Sequence, residues 1–250
     1  MSHGKFVWYE LRTPDLKASE KFYGDVVRWQ AKDAGMPGMA YTLFSAGDQT
    51  VAGAVTMPDA GMPPHWMGFV GVDDVDTAAA KVKKLGGALL MGPQDIPGVG
   101  RFAIITDPQG AHLALFRWAG ERPARPAPGT PGHCGWHELY AGDVKTIFDF
   151  YRELFGWTKG EAMDMGPMGI YQLFNQGDVM IGGMMTRPAA MPAPAWLYYF
   201  NVESIEAAAA RATAGGGTIC HGPMQVPGDD WIVQIADPQG AMVALTARKK

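Results

Sequence analysis

The 250-residue sequence predicts an α+β protein of four β-α-β-β-(β) modules arranged as two tandem halves. Three observations predict it. The phrase "TDPQGAHLALF" from Thr106 returns as "ADPQGAMVALT" from Ala236, 130 residues later. "WYELRTPD" from Trp8 matches "WHELYAGD" from Trp136 at an offset of 128, and "YTLF" from Tyr41 and "GPQDIPG" from Gly92 match "YQLF" from Tyr171 and "GPMQVPG" from Gly222 at 130. Within each half, alternating apolar segments and helical apolar spacing occur twice in the same order.

Each element has a local reason. "KFVWYEL" alternates as a strand does; Thr13 as N-cap, Pro14 at the first helical position and Ala18, Phe22 and Val26 at helical spacing then predict a helix. "AYTLFS" and "TVAGAVT" read as two short strands, followed by the loop "MPDAGMPPH" and the strand "WMGFVGV". Asp73 or Asp74 caps a second helix with Val75, Ala79 and Val82 inward and Gly86 as its stop. "GRFAIIT" and "AHLALFRW" form a hairpin around DPQG, whose Asp-Pro start and Gly end suit a tight turn. In the second half Asp143 caps "VKTIFDFYRELF", Ser204 caps "IEAAAARATA" and Gly215 ends it. Residues 119–132, rich in proline and glycine, read as a linker between a first domain, 1–118, and a second, 133–250.

With 47% apolar residues the chain can bury a sizeable core. A formal charge of −4, with no basic run beyond Arg248-Lys249-Lys250, gives nucleic acid no electrostatic footing. No apolar run is long enough for a membrane helix and no secretory signal opens the chain, so the expected location is the cytoplasm. Cys134 and Cys220 are expected to be free, buried thiols there. The phosphate-loop, nucleophile-elbow and HExxH motifs are all absent.

The segments "TPDLKASEKFYGDVVRW", "AGDVKTIFDFYRELFGW" and "VDDVDTAAAKVKKLGG" and the two DPQG turns, in this order, resemble the vicinal oxygen chelate superfamily of glyoxalases, bleomycin-resistance proteins and type I extradiol dioxygenases. The resemblance implies that the four βαβββ modules pair into two half-open eight-stranded barrels, each with a concave pocket. It also implies a divalent metal, held by a His or Gln on a module's first strand and a Glu on its last. Counting from the helix starts and turns puts those positions at Trp8, Met67, Trp136 and Leu197, and at Ala54, Ala114, Met184 and Ala244. None carries a donor for a hard cation. The expectation is therefore no cofactor, the displaced pair Glu10 and His112 being the weaker alternative for a metal.

Strand alternation places Trp8, Glu10 and Arg12 on one face, and Trp136, Glu138 and Tyr140 on the matching face of the second copy. Glu10 and Glu138 are the candidate catalytic residues: a carboxylate in an aromatic, partly dry pocket gains proton affinity and suits a general base. Trp8, Trp66, Phe102, His112 and Trp118 in one half, and Trp136, Tyr171, Trp196 and Trp231 in the other, are the candidate walls for a flat organic ligand. Phe22, Tyr23, Phe150 and Tyr151 are expected in the core, His137 in a core or capping role, and His65 in an exposed loop. The loops "MPGM" from Met36 and "MGPM" from Met165 are adaptable enough to close over a ligand.

Three functions follow. The first is a metal-free protein that binds small organic molecules in aromatic pockets; the second is a glyoxalase-like lyase, isomerase or hydroxylase in which Glu10 or Glu138 moves a proton. A degenerate partner-binding module is a third. The fusion of two domains supplies internally the pairing that shorter relatives obtain by dimerising, so the expected state is a monomer or at most a weak homodimer.

Overall fold

The computed structural model describes residues 2–57, 62–120 and 126–250; the predicted 119–132 linker and the "MPDAGMPPH" loop lie partly outside them. The first half runs β1 (Phe6–Thr13), α1 (Leu16–Val27), β2 (Gln30–Asp33), β3 (Tyr41–Ala46), β4 (Gln49–Thr56), β5 (His65–Gly71), α2 (Val75–Lys84), β6 (Ala88–Ile96), β7 (Gly100–Thr106) and β8 (His112–Trp118). The second runs β9 (Cys134–Ala141), α3 (Val144–Phe155), β10 (Thr158–Asp164), β11 (Ile170–Gln176), β12 (Val179–Thr186), β13 (Ala195–Asn201), α4 (Ile205–Ala214), β14 (Thr218–Gln225), β15 (Trp231–Ala236) and β16 (Met242–Ala247). These are four βαβββ modules. They form two eight-stranded mixed sheets, ordered β2-β3-β4-β1-β5-β8-β7-β6 and β10-β11-β12-β9-β13-β16-β15-β14, neither of which closes on itself.

The capping chemistry decides where the helices begin. Thr13 stays on β1, and Asp15 caps α1 by accepting from Ala18 N at 3.0 Å, which moves the start two residues beyond the predicted cap. Asp74 caps α2 through Thr77 N, Asp143 caps α3 through Lys145 N, and Ser204 caps α4 through Ala207 N. Strands β2, β6, β10 and β14 complete the eight strands per half that the resemblance implies, but the residue pattern did not locate them. Each is an edge strand, mostly exposed, so no apolar alternation marks it. No helix among the described residues is long and apolar enough to cross a membrane.

The sheets follow the tandem halves, but the compact units do not. One unit contains α2 and α3 with their modules; the other contains α1 and α4 with theirs. In the first unit Asp107 of the DPQG turn accepts on one oxygen from Gln109 N and Ala111 N, at 2.8 and 2.9 Å, and on the other from Tyr151 Oη of α3 at 2.7 Å. Tyr151 Oη in turn accepts from Trp196 Nε1 at 3.1 Å. The second unit repeats the chain: Asp237 accepts from Gln239 N, Ala241 N and Tyr23 Oη, and Tyr23 accepts from Trp66 Nε1 at 2.9 Å. The glutamines complete each joint. Gln109 accepts from Asp143 N and donates to Asp143 O at the start of α3, while Gln239 accepts from Ser19 Oγ and Thr13 Oγ1 at the start of α1.

Burial pushes both aspartates above the ordinary carboxyl range, and the hydrogen bonds pull them partly back. Removing one hydroxyl strands a buried indole N–H and a carboxylate oxygen together. Tyr151→Phe and Tyr23→Phe are therefore each expected to lose about 1–3 kcal/mol of stability, read as a lower urea midpoint at unchanged slope. An unchanged midpoint in both variants would show that these hydrogen-bond chains do not stabilise the units they lie in.

Candidate functional site

Each sheet has a face turned to the helices and a face turned away. In the first module Thr42 Oγ1 donates to Glu20 of α1 at 2.7 Å, which assigns Thr42 and its cross-strand partner Ala54 to the helix side. Leu11 pairs with Ala54 and shares that side; Glu10 pairs with Gly53 and Arg12 with Val55 on the other. The same register in the third module puts Leu139 and Met184 on the helix side and Glu138 with Gly183 on the other. So the predicted last-strand positions Ala54 and Met184 are one residue out. The residues beside the two glutamates on the far face are Gly53 and Gly183, whereas Ala114, paired with Phe69 and Ile104, and Ala244, paired with Tyr199 and Gln234, keep the predicted side.

These glycines have a reason. A β-carbon at Gly53 would collide with the ring of Tyr41, and one at Gly183 with the ring of Tyr171. A tyrosine thus occupies the space that a last-strand side chain would fill, in both copies. Tyr41 Oη accepts from Trp8 Nε1 at 3.0 Å and donates to Glu10 Oε2 at 3.1 Å, and the other Glu10 oxygen lies 3.3 Å from Arg12 Nε. Glu10 is only 8% exposed, and Glu138 6%. Burial raises the Glu10 pKa above 4.5, opposed by the charge of Arg12 and the hydrogen bond from Tyr41. Burial and the neighbouring Glu10 charge also hold the Tyr41 hydroxyl protonated far above its usual range, so it acts as a donor.

The other predicted residues divide by face. Trp8, Trp136 and Tyr171 share the far face with the glutamates of their strands and ladders, as their alternation requires. Arg101 of β7 reaches Asp76 of α2 at 2.7 Å, which marks the helix side of the second module and places Phe102, His112 and Trp118 on the far one. Trp66 and Trp196 do not join them. Both are buried on the helix side, donating to Tyr23 and Tyr151 within aromatic clusters, because their period places them with Val70 and Tyr198. Trp231 is likewise on the helix side with Val233, its ring 5.1 Å from Lys250 Nζ.

His137 is buried, stacks on Phe6 at 3.8 Å and donates through Nδ1 to Ile181 O at 2.6 Å, as a core histidine does. Phe22, Tyr23, Phe150 and Tyr151 are core residues. His65 opens β5 and is half-buried, not exposed in a loop. Neither cysteine is in a disulfide, and neither is fully buried: Cys134 opens β9 half-buried and Cys220 is exposed on edge strand β14. Met39 and Met168 of the two methionine loops are exposed. Among the described residues no three His, Cys, Asp or Glu side chains are grouped to hold a metal ion. Tyr41 and the two glycines were missed as site residues, whereas Arg12 stands on the face its alternation gave it; the paired "AG" and "GG" of β4 and β12 were the available signal.

Because the bond from Tyr41 favours the Glu10 carboxylate, Tyr41→Phe should move the Glu10 titration to still higher pH, measured by carbon-13 NMR of the labelled carboxyl. Folded Glu10 binds its proton more tightly than unfolded Glu10. Its contribution to stability is thus full below the ordinary carboxyl pKa and lost as pH rises through the raised one, and Glu10→Gln should flatten that part of the stability profile. A downward NMR shift, or an unchanged slope, would contradict the assignment.

Comparison with known proteins accords with this architecture. The family model described as "Glyoxalase/Bleomycin resistance protein/Dioxygenase superfamily" matches residues 5–115 and again 130–245. The chain is 32% identical over 243 residues to "Putative glyoxylase CFP32" of Mycobacterium tuberculosis, covering 95% of this chain and 92% of that protein. It is 30% identical over 257 residues to "Anthracycline biosynthesis protein DauV" of Streptomyces sp. strain C5, covering 95% and 91%. Among solved structures, the Mn(II)-bound glyoxalase from Novosphingobium aromaticivorans superposes with a TM-score of 0.67 at 15% identity, over 100% of this chain and 83% of that one. The 2,2',3-trihydroxybiphenyl 1,2-dioxygenase from Sphingomonas wittichii strain RW1 gives 0.70 at 13%, over 98% and 91%. Those identities speak to the fold alone. The chain belongs to the glyoxalase/bleomycin resistance protein/dioxygenase superfamily, as a tandem member carrying the family domain twice.

Proposed function

We propose that the chain binds small, flat organic molecules against the faces that carry Trp8, Glu10 and Tyr41 in one copy and Trp136, Glu138 and Tyr171 in the other, and that it does so without a divalent metal. The observation that carries this reading is the pairing of Gly53 under Tyr41 and Gly183 under Tyr171. A metal held across the first and last strands of these modules needs an oxygen donor where those glycines stand, and the tyrosine ring fills the space such a donor would use. With Trp8 and Trp136 at the first-strand positions, the residues present do not fit a hard cation. An aromatic wall with one buried carboxylate is instead the lining of an organic-ligand site. The relative named for anthracycline biosynthesis supports a fused-ring ligand class.

A second reading has its own observation. Burial raises the Glu10 pKa toward the range useful to a general base, and one relative bears the name of a glyoxylase. On that reading Glu10 or Glu138 removes a proton alpha to a ligand carbonyl. The two readings differ in turnover.

The test is metal content by elemental mass spectrometry after loading with zinc, nickel, manganese and iron and dialysis, beside phenylnaphthylamine binding followed by tryptophan quenching with and without EDTA. No retained metal and EDTA-insensitive binding are expected. Near-stoichiometric metal, or no binding, would overturn the proposal. Glu10→Gln and Glu138→Gln separate the readings: turnover lost with binding retained would establish the enzyme.

A further inference from the structure

Resting on that reading of the two faces, the geometry points to Arg12 as an anion-recognising residue, which makes the first face the site of an aromatic ligand bearing a negatively charged oxygen group and the second the site of an uncharged one. Arg12 follows Glu10 on the same face of β1, beside Val55, which pairs in turn with Tyr41. Its Nε lies 3.3 Å from Glu10 Oε1, and its side chain is 22% exposed. The other Glu10 oxygen accepts from Tyr41 Oη, and the carboxylate lies beside the guanidinium as an ion pair, without a hydrogen bond from the buried Nε.

The two terminal nitrogens of Arg12 make no ion pair or hydrogen bond with any described residue. A guanidinium has five N–H donors in a rigid plane, and with Nε buried beside Glu10 the terminal fork can meet two oxygens of one carboxylate or sulfonate side by side. Such charge-assisted pairs are the stronger hydrogen bonds, and partial shelter from water strengthens them further. The adjoining Val55 and Tyr41 supply the apolar and aromatic surface for the rest of the ligand.

The repeat supplies the control. Glu138 occupies the place of Glu10 and is just as buried, yet the residue two positions on is Tyr140, beside Met185. At this point of the module the second copy keeps the buried glutamate with a tyrosine, not an arginine, two positions on, so only the first copy adds a cation to this face. The second row, Tyr171, Met185 and Tyr140, carries no positive charge.

The experiment uses the full chain and two fluorescent probes of the same ring skeleton, anionic anilinonaphthalene sulfonate and neutral phenylnaphthylamine. In Arg12→Gln the sulfonate should bind about 10-fold more weakly or worse, by the usual strength of a hydrogen bond to a charged group, while the neutral probe binds as in wild type. Arg12→Lys should recover part of the sulfonate affinity, and near-UV circular dichroism of each variant establishes that the fold is intact. Tyr140→Arg should create a second sulfonate site. Sulfonate binding unchanged in Arg12→Gln, or both probes weakened equally, would overturn the assignment of Arg12 while leaving the ligand-binding reading standing. Failure of both probes to bind the wild-type chain would overturn both.

Discussion

Everything in this chain hangs on two buried aspartates. Asp107 and Asp237 sit in turns that the sequence shows as simple reversals, yet each is the acceptor on which a tyrosine and a tryptophan from elsewhere depend. A half-satisfied network of this kind costs more than an apolar core would, because every stranded donor or acceptor keeps its desolvation penalty. The partners come from opposite halves: Asp107 of the first copy needs Tyr151 of the second, and Asp237 of the second needs Tyr23 of the first. Each turn is therefore completed by a tyrosine that the other copy supplies. Neither copy alone can satisfy its own turn.

The same dependence explains why the phrase DPQG recurs whole. Aspartate serves the buried tyrosine, proline and glycine shape the reversal, and glutamine reaches the first turn of the partner helix, with Gln109 engaging the Asp143 backbone on both sides. The second glutamine does the equivalent work differently, accepting from Ser19 and Thr13. Thr13 is held in that contact at the end of β1, so Asp15 and not Thr13 caps α1.

What could be seen in the sequence was whatever local physics announces. Four modules, their helices and three of four caps follow from apolar period and punctuation within a dozen residues. Edge strands such as β2, exposed at all four positions, carry no such signal and exist only through their partners. The grouping of helices into compact units rests on contacts 44 and 214 residues apart, beyond any periodicity. The register of the face that carries the acids was legible to within one residue, but its membership was not, since Trp66, Trp196 and Trp231 lie on the helix side. On β1 and β9 the glutamates stand out, but "VAGAV" and "IGGMM" offer small residues on both faces, and a slip of one residue exchanges the faces entirely. Only the ladder to Leu11 and Leu139 decides that Gly53 and Gly183, not Ala54 and Met184, share the face of the acids.

Once the scaffold residues are set aside, the two copies differ most where the fold demands least. The Asp-Tyr-Trp chain, the Trp-x-Glu strand and the tyrosine over glycine occur twice with little change. On the faces turned away from the helices, by contrast, Arg12 stands opposite Tyr140 in the alignment of the copies, Phe69 opposite Tyr199 and Ile104 opposite Gln234. Tyr199 and Gln234 are joined by a 2.9 Å hydrogen bond where the first copy has only apolar side chains. Such exchanges do not alter the strand pairing or the buried network, so stability leaves them free to vary. A duplicated frame that keeps its joints and changes only these faces presents two chemically different surfaces without refolding either half.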